Sequence, residues 1–321
     1  MERARVRPMK KYTDLTDIDN LEELIKEAIE LKKKPFSHET LGKHKTLVML
    51  FFNSSLRTRL STEKAARNLG MEVTVMNFNS DAWQLEFEDG TVMNAGTSEH
   101  IKEAAKVISQ YADVIAVRAF PTLTDKLKDE SEYVINNFVK HATVPVLNME
   151  SATGHPLQAL ADAITITEQN LDKKPKVVMS WAPHPKALPQ AVPNSFAQMM
   201  QKMDVDFVIT HPEGYELSNA VTGDTTIEYD QQKALEDADF VYVKNWSSYK
   251  EYGQILPGDN SSWMMTKEKL GNAKFMHCLP VRRNVIVEDG VLDSDQSLVI
   301  EEANNRTYSA QVVLKKILQS I

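Results

Sequence analysis

The chain has 321 residues, 42% hydrophobic and 26% charged, the make-up of a globular protein long enough for two α/β domains and not of a disordered one. Its formal charge of −8, with Lys and Arg scattered, argues against a nucleic-acid surface. No apolar run approaches the ~20 residues of a membrane span, and the single cysteine, Cys278, excludes an internal disulfide framework and fits a reducing cytoplasm.

The first eight residues, MERARVRP, are basic but lack the apolar core of a signal peptide, and read as an extension ahead of Met9. Asp14 to Lys34 has helical apolar spacing through Leu21, Leu24, Ile25, Ala28, Ile29 and Leu31. Leu47 to Phe52 is too short for a helix and has no polar alternation, which predicts a strand buried on both faces, as in a parallel sheet. Asn53, Ser54 and Ser55 break it, and Leu56, Leu60, Ala65, Ala66 and Leu69 predict a helix stopped by Gly70. Where a strand hands over to a helix N-terminus, unpaired N–H groups and the positive end of the dipole converge, which suits a phosphate. Ser55, Arg57, Thr58 and Arg59 add hydroxyl donors and guanidinium forks. An ordinary capped helix with surface arginines is the alternative at this turn.

Val73 to Phe78 predicts a second strand, and Asn79 to Thr97 is a long irregular stretch holding Trp83, either a packing anchor or a functional element. Ser98 to Gln110 predicts a helix with a weakened capping box, since Ile101 stands at its third position. Val114 to Val117 predicts a strand ending in Arg118, which points into a ligand crevice or forms a surface ion pair. Val144 to Leu147 predicts another buried strand, followed by Asn148-Met149-Glu150. Pro156 suits the first turn of a helix running to Asn170, with His155 at its entrance.

A second sheet is predicted from VVMSW (177–181), DFVIT (206–210), DFVYV (239–243) and KFMHC (274–278), with helical segments between them, including Asn194 to Met203. The proline-rich segment APHPKALPQAVP (182–193) is expected to be irregular, as a rigid linker or a functional loop. Glu302-Ala303-Asn304-Asn305-Arg306 leads into a terminal helix with Val312, Val313, Ile317 and Leu318. No glycine fingerprint of a dinucleotide site and no clustered metal ligands occur in the sequence.

Three motifs then fall in a telling order. Ser55-Leu56-Arg57-Thr58-Arg59 resembles the carbamoyl-phosphate signature of the aspartate and ornithine carbamoyltransferases, with Leu56 in place of the usual Thr. His155-Pro156-Leu157-Gln158, continued to Asp162, resembles the family's His-Pro-x-Gln-x-Leu-x-Asp motif, and His277-Cys278-Leu279-Pro280 its His-Cys-Leu-Pro motif. The resemblance runs from Met9 to the C-terminus. It implies two doubly wound parallel-sheet domains: a carbamoyl-phosphate domain over 9–153, with the C-terminal helix 305–321 packed back onto it, and an acceptor domain over 154–304. The proline-rich loop is similar to that of the N-acylornithine branch, in which a later segment threads through to form a knot.

The resemblance also implies site residues. Ser55, Leu56, Arg57, Thr58, Arg118 and Arg306 would bind carbamoyl phosphate, with Trp83 reaching the phosphate of a neighbouring subunit in a homotrimer. Thr58, Arg118 and His155 would polarise the carbonyl, and Gln158 with the backbone at Cys278 and Leu279 would fix the NH2. Cys278 is then a positioning group and not a nucleophile, and neither cofactor nor metal is called for. For the acceptor, an N-acyl-L-ornithine, the residues are Glu150, His184, Lys244, Arg282 and Ser98. Ser98 and Ile286 stand where the acetyl branch carries glutamate and lysine. The succinyl branch has proline at the first, so Ser98 departs from both patterns, while Ile286 matches the succinyl one. The missing acidic side chain favours N-succinyl-L-ornithine over N-acetyl-L-ornithine. A catalytically silent assembly subunit is the reading of another class, and the retained phosphate-binding residues oppose it.

Overall fold

The computed structural model describes residues 9–78 and 80–321, and the extension expected at 1–8 lies outside them. These residues form two compact units. One holds the described residues up to Pro121, Leu127–Leu157 and Arg306–Ile321; the other holds Thr122–Lys126 and Gln158–Asn305. Among the described residues, no helix is long and apolar enough to cross a membrane.

The first unit is built on four parallel strands, β1 (Thr46–Phe51), β2 (Glu72–Asn77), β3 (Val114–Arg118) and β4 (Val146–Glu150), in the order β2-β1-β3-β4. Leu47 to Phe51 are all buried, because β1 has a neighbour on each edge and apolar packing on each face. Val48, Leu50, Ile115, Val117 and Phe138 share one core cluster, each apolar side chain contributing about 1.5–3 kcal/mol by burial. Its longer helices include α1 (Leu21–Lys33), α2 (Leu56–Asn68), α3 (Ile101–Tyr111) and α4 (Tyr133–His141).

Three expectations shift here. The Asp14–Lys34 segment opens with a short 3-10 turn, and α1 starts only after Asn20, whose side chain accepts from the Glu23 N–H. The box at Ser98 does not form: Glu99 and His100 pair as a short strand with Leu85–Glu86, and the His100 ring caps α3 by accepting from Lys102 N–H. β4 runs on through Asn148, Met149 and Glu150, since burial on both sides outweighs the polar side chains. Gly70 ends α2 as expected; its φ is +82°, and a Cβ there would lie 1.9 Å from the Glu39 carbonyl oxygen.

In the second unit, α5 (Pro156–Glu168), whose residues from Gln158 belong here, leads into β5 (Lys176–Trp181), α6 (Ala191–Met200), β6 (Asp206–Thr210), β7 (Thr226–Glu228), β8 (Phe240–Lys244) and β9 (Lys274–Met276). The parallel strand order is β9-β8-β5-β6-β7. β7, an edge strand of three residues, was not anticipated, because Thr226-Ile227-Glu228 is too short to show a pattern. The proline-rich segment is irregular only to Gln190; Ala191, Val192 and Pro193 form the first turn of α6, where a missing N–H costs nothing. The irregular part is pinned: Asn245 Nδ2 donates to the Ala182 carbonyl at 2.8 Å, Ser247 N–H to Leu188 at 3.0 Å, and Gln190 Nε2 to Ser247 at 2.8 Å. The last helix, α7 (Val299–Leu318), contributes Arg306 onward to the first unit. There Asn68 Nδ2 donates to Gln311 at 2.9 Å and Ser309 Oγ to the Leu157 carbonyl at 2.8 Å.

Candidate active site

Each sheet reverses its winding direction beside its first strand, and ligands of open α/β sheets bind outside the carboxyl ends of strands at such a point. In the first unit the reversal lies between β1 and β3, which end in register at Phe51 and Arg118. Asn53, just past β1, accepts from the Phe120 N–H at 2.7 Å and ties the two strand ends together. Ser55 is extended (φ −154°), caps α2, and accepts from the Thr58 N–H at 3.2 Å.

Thr58 is fully buried, and two guanidiniums converge on its hydroxyl: Arg118 Nη1 at 3.3 Å and Arg306 Nη2 at 2.8 Å. With its lone pairs engaged, the Thr58 O–H proton must point to a further acceptor. Arg118 also forms a close ion pair with Glu150, and both are buried. Among the described residues, the Nε atoms of Arg118 and Arg57 are buried without a hydrogen-bond partner, a costly state that an anion would relieve. His155 Nε2 lies 3.3 Å from Arg306 Nη2, a donor only, and 3.5 Å from Glu150 Oε2, an acceptor only. The tautomer therefore decides which one it serves.

Trp83 and Ser98 form a separate group in the same unit. Trp83 is 59% exposed, its Nε1 donating to Glu99 at 2.8 Å, and the exposed Ser98 donates its N–H to the Gln84 carbonyl at 3.1 Å.

In the second unit the reversal lies between β5 and β8, paired at Trp181 and Lys244. His184, three residues past β5, accepts at Nε2 from Arg282 Nε at 3.1 Å, while its Nδ1 lies 2.8 Å from the Lys186 carbonyl and 3.0 Å from the Lys186 N–H. Burial lowers the His184 pKa, and the charges of Arg282, Lys244 and Lys186 push the same way, keeping the ring neutral at pH 7. Lys244 and Arg282, the latter bonded to His184, make a cationic patch suited to a carboxylate.

Gln158 is buried within the same unit. Its Nε2 donates to Asp162 at 2.7 Å and to Glu302 at 3.1 Å, while its Oε1 is buried and unpartnered. Glu302 accepts the His277 N–H at 2.9 Å, next to Cys278. Leu279 has φ +57°, precedes a cis peptide bond to Pro280, and donates its N–H to His277 Nδ1 at 2.8 Å.

The sequence comparisons agree with this geometry. Residues 10–168 match the carbamoyl-P binding domain of aspartate/ornithine carbamoyltransferase, and residues 189–317 match its Asp/Orn binding domain. The chain belongs to the aspartate/ornithine carbamoyltransferase family. It is 53% identical over 318 residues to an N-succinylornithine carbamoyltransferase of Bacteroides fragilis, covering 98% of this chain and 100% of the relative. It is 36% identical over 318 residues to an N-acetylornithine carbamoyltransferase of Xanthomonas axonopodis pv. citri, covering 92% of each. A crystal structure of N-acetyl-L-ornithine transcarbamylase, with serine replacing one glutamate and complexed with carbamyl phosphate and N-succinyl-L-norvaline, matches with a TM-score of 0.88 and 34% identity, over 95% of this chain and 99% of that one.

Within this carbamoyltransferase, the residues expected from the motifs fall into three groups. Ser55, Thr58, Arg118, His155 and Arg306 come together, with Arg57 in the first turn of α2 and Leu56 turned outward, 68% exposed. Glu150, expected at the acceptor, holds Arg118 and lies beside His155. His184, Lys244 and Arg282 form the second group, and Trp83 with Ser98 the third. Sequence reading gave Asp162, Glu302 and Asn53 no role; the first two were inside quoted motifs, and only their burial marks them. Ile286 is buried with Met265 and Val287 in the apolar core of the second unit, where a lysine would need its own partner.

Proposed function

We propose that this enzyme transfers the carbamoyl group of carbamoyl phosphate to the δ-amine of N-succinyl-L-ornithine, giving N-succinyl-L-citrulline and phosphate, a step of arginine biosynthesis. The observation that carries the choice of acceptor is the 53% full-length identity to the N-succinylornithine relative, against 36% to the N-acetylornithine relative.

Ser55, Arg57, Arg118 and Arg306 grip the phosphate, in keeping with the unpartnered Nε atoms of Arg57 and Arg118. Thr58, Arg118 and His155 donate to the carbonyl oxygen as it gains charge, each such donor worth ~3 kcal/mol. The neutral δ-amine attacks the carbonyl carbon, forming the C–N bond. The C–O bond to phosphate then breaks, and the phosphate leaves with the electron pair and takes up the amine's proton. Gln158 Oε1 accepts from the carbamoyl NH2, helped by the backbone at Cys278 and Leu279, so no covalent enzyme intermediate is needed.

Lys244 and Arg282 receive the acceptor's carboxylates, with His184 holding Arg282 in place through Nε2. Ser98 stands in for an acidic side chain that would repel the succinyl carboxylate; the serine-for-glutamate variant crystallised with N-succinyl-L-norvaline supports that reading. The enzyme is a homotrimer in which the exposed Trp83 reaches the neighbour's phosphate. Incubation with carbamoyl phosphate and N-succinyl-L-ornithine tests this: equimolar N-succinyl-L-citrulline and phosphate are expected, with a Thr58→Val variant at least ~100-fold slower. Phosphate release without citrulline product overturns it.

A further inference from the structure

Gln158 is useful to a carbamoyl group only if its amide is held one way round. A free amide presents oxygen or nitrogen almost equally well. In this protein the choice is made by two carboxyl groups. Gln158 Nε2 lies 2.7 Å from Asp162 Oδ1 and 3.1 Å from Glu302 Oε1, and both acids are fully buried. Each can accept from an NH2 group, so the NH2 turns inward and Oε1 is left as a buried, unpartnered acceptor.

The two acids accept from the same Gln158 nitrogen, so their oxygens lie close together, and two buried carboxyl groups that near favour a proton on one of them. We propose that Asp162 and Glu302 share a single proton and act as a positioning pair, fixing Gln158 with its oxygen outward and, through the His277 N–H on Glu302 Oε2 at 2.9 Å, the backbone entering Cys278. The proposal rests on the reading of Gln158 as the partner of the carbamoyl NH2.

The surroundings fit one proton and one charge. The titratable groups facing the pair are Tyr242 on β8 and Cys278 after β9, with His277 bonded to Glu302 through its backbone. Burial, followed by the charge of Asp162, holds the Glu302 carboxyl well above the usual carboxylate range. Burial and the Asp162 charge raise Tyr242 in the same way. Ionising both acids would place two like charges side by side in a fully buried site. Protonating both would weaken the charge-assisted bonds that hold Gln158 and His277.

Amide substitutions separate the possibilities. In Glu302→Gln or Asp162→Asn the new NH2 can donate where the shared proton did, so each single change should lower kcat by about 5-fold, with little change in KM for the acceptor. The double variant has no anion left to hold Gln158 and should lose at least ~100-fold, more than the product of the singles. A double variant no slower than that product, or singles as slow as the double, overturns the proposal. The wild-type protein gives a second readout that needs no variant to fold. Its infrared spectrum at pH 8 should show the C=O stretch of a protonated carboxyl, which either single change removes; absence of that band also overturns the proposal. Gln158→Ala checks the reading underneath. Unchanged carbamoyl-phosphate kinetics in Gln158→Ala would remove that reading even with the band present, whereas a slow Gln158→Ala beside a fast double variant removes the pair alone.

Discussion

Arg306 donates to the Thr58 hydroxyl at 2.8 Å across 248 residues of sequence. The last helix thereby supplies a charged group to the turn after the first strand, and Thr58 receives Arg118 from the other side at 3.3 Å. Replacing Arg306 with Ala removes a buried charge-assisted donor and should lower kcat/KM for carbamoyl phosphate by ~100-fold. Arg306→Lys should recover less than about a tenth of that, because an ammonium cannot serve Thr58 and a phosphate with one planar fork. Steady-state kinetics at saturating acceptor decide it; a Lys variant equal to wild type means that only the charge counts.

Arg57 offers a cleaner test of the anion site, since its Nε is buried with no partner and the fold gains nothing visible from it. Arg57→Ala should lower carbamoyl-phosphate affinity by at least ~30-fold in calorimetry while leaving the melting temperature within about 2 °C. Unchanged affinity in a folded variant would remove the phosphate grip from this turn.

The strand-to-helix turn was legible because its chemistry is local: five consecutive residues carry the cap, the hydroxyls and the guanidiniums. Lys244 and Arg118 were legible as strand ends, where topology places ligands. The contacts of Glu150 were not legible, because its neighbours Arg118 and His155 approach from separate chain segments, which no spacing reveals. The cap at His100 was missed for a related reason: the pairing of Glu99–His100 with Leu85–Glu86 extends the backbone and overrides the serine's local preference.

The docking of α7 on α1 predicts a pH effect on stability. Glu27 is bonded by Lys315 at 2.9 Å and by Lys316. Burial alone would raise its pKa, but the two lysines more than offset that and bring it below the ordinary value of 4.5. A carboxylate depressed in the folded state adds stability above its unfolded pKa and loses it as pH falls through the folded value. Glu27→Gln should therefore cost about 0.5–1 kcal/mol at pH 7, after screening, and progressively less as the pH falls below the ordinary carboxylate value. Urea midpoints at pH 7 and in acid measure this, and a gap that does not shrink in acid contradicts it.

Trp83 is exposed and its indole is held by Glu99, so its proposed target is a neighbouring subunit. Inactive Trp83→Ala and Arg57→Ala proteins, unfolded, mixed and reassembled, should regain partial activity, because some hybrid sites combine an intact Trp83 with an intact Arg57. Mixtures that stay inactive while wild type survives the treatment argue against shared sites.

Ser98→Glu should turn the acceptor preference towards N-acetyl-L-ornithine by ~10-fold or more, since a carboxylate there repels the succinyl group. The readout is the ratio of kcat/KM for the two acceptors, before and after substitution. An unmoved ratio removes Ser98 from the selection.

The most direct measurement is a set of kcat/KM values for N-succinyl-L-ornithine, N-acetyl-L-ornithine and L-ornithine at fixed, saturating carbamoyl phosphate. The account predicts N-succinyl-L-ornithine ahead of N-acetyl-L-ornithine by at least ~10-fold, or ~1.4 kcal/mol of transition-state binding, with L-ornithine last. A preference for either of the other two acceptors would contradict it.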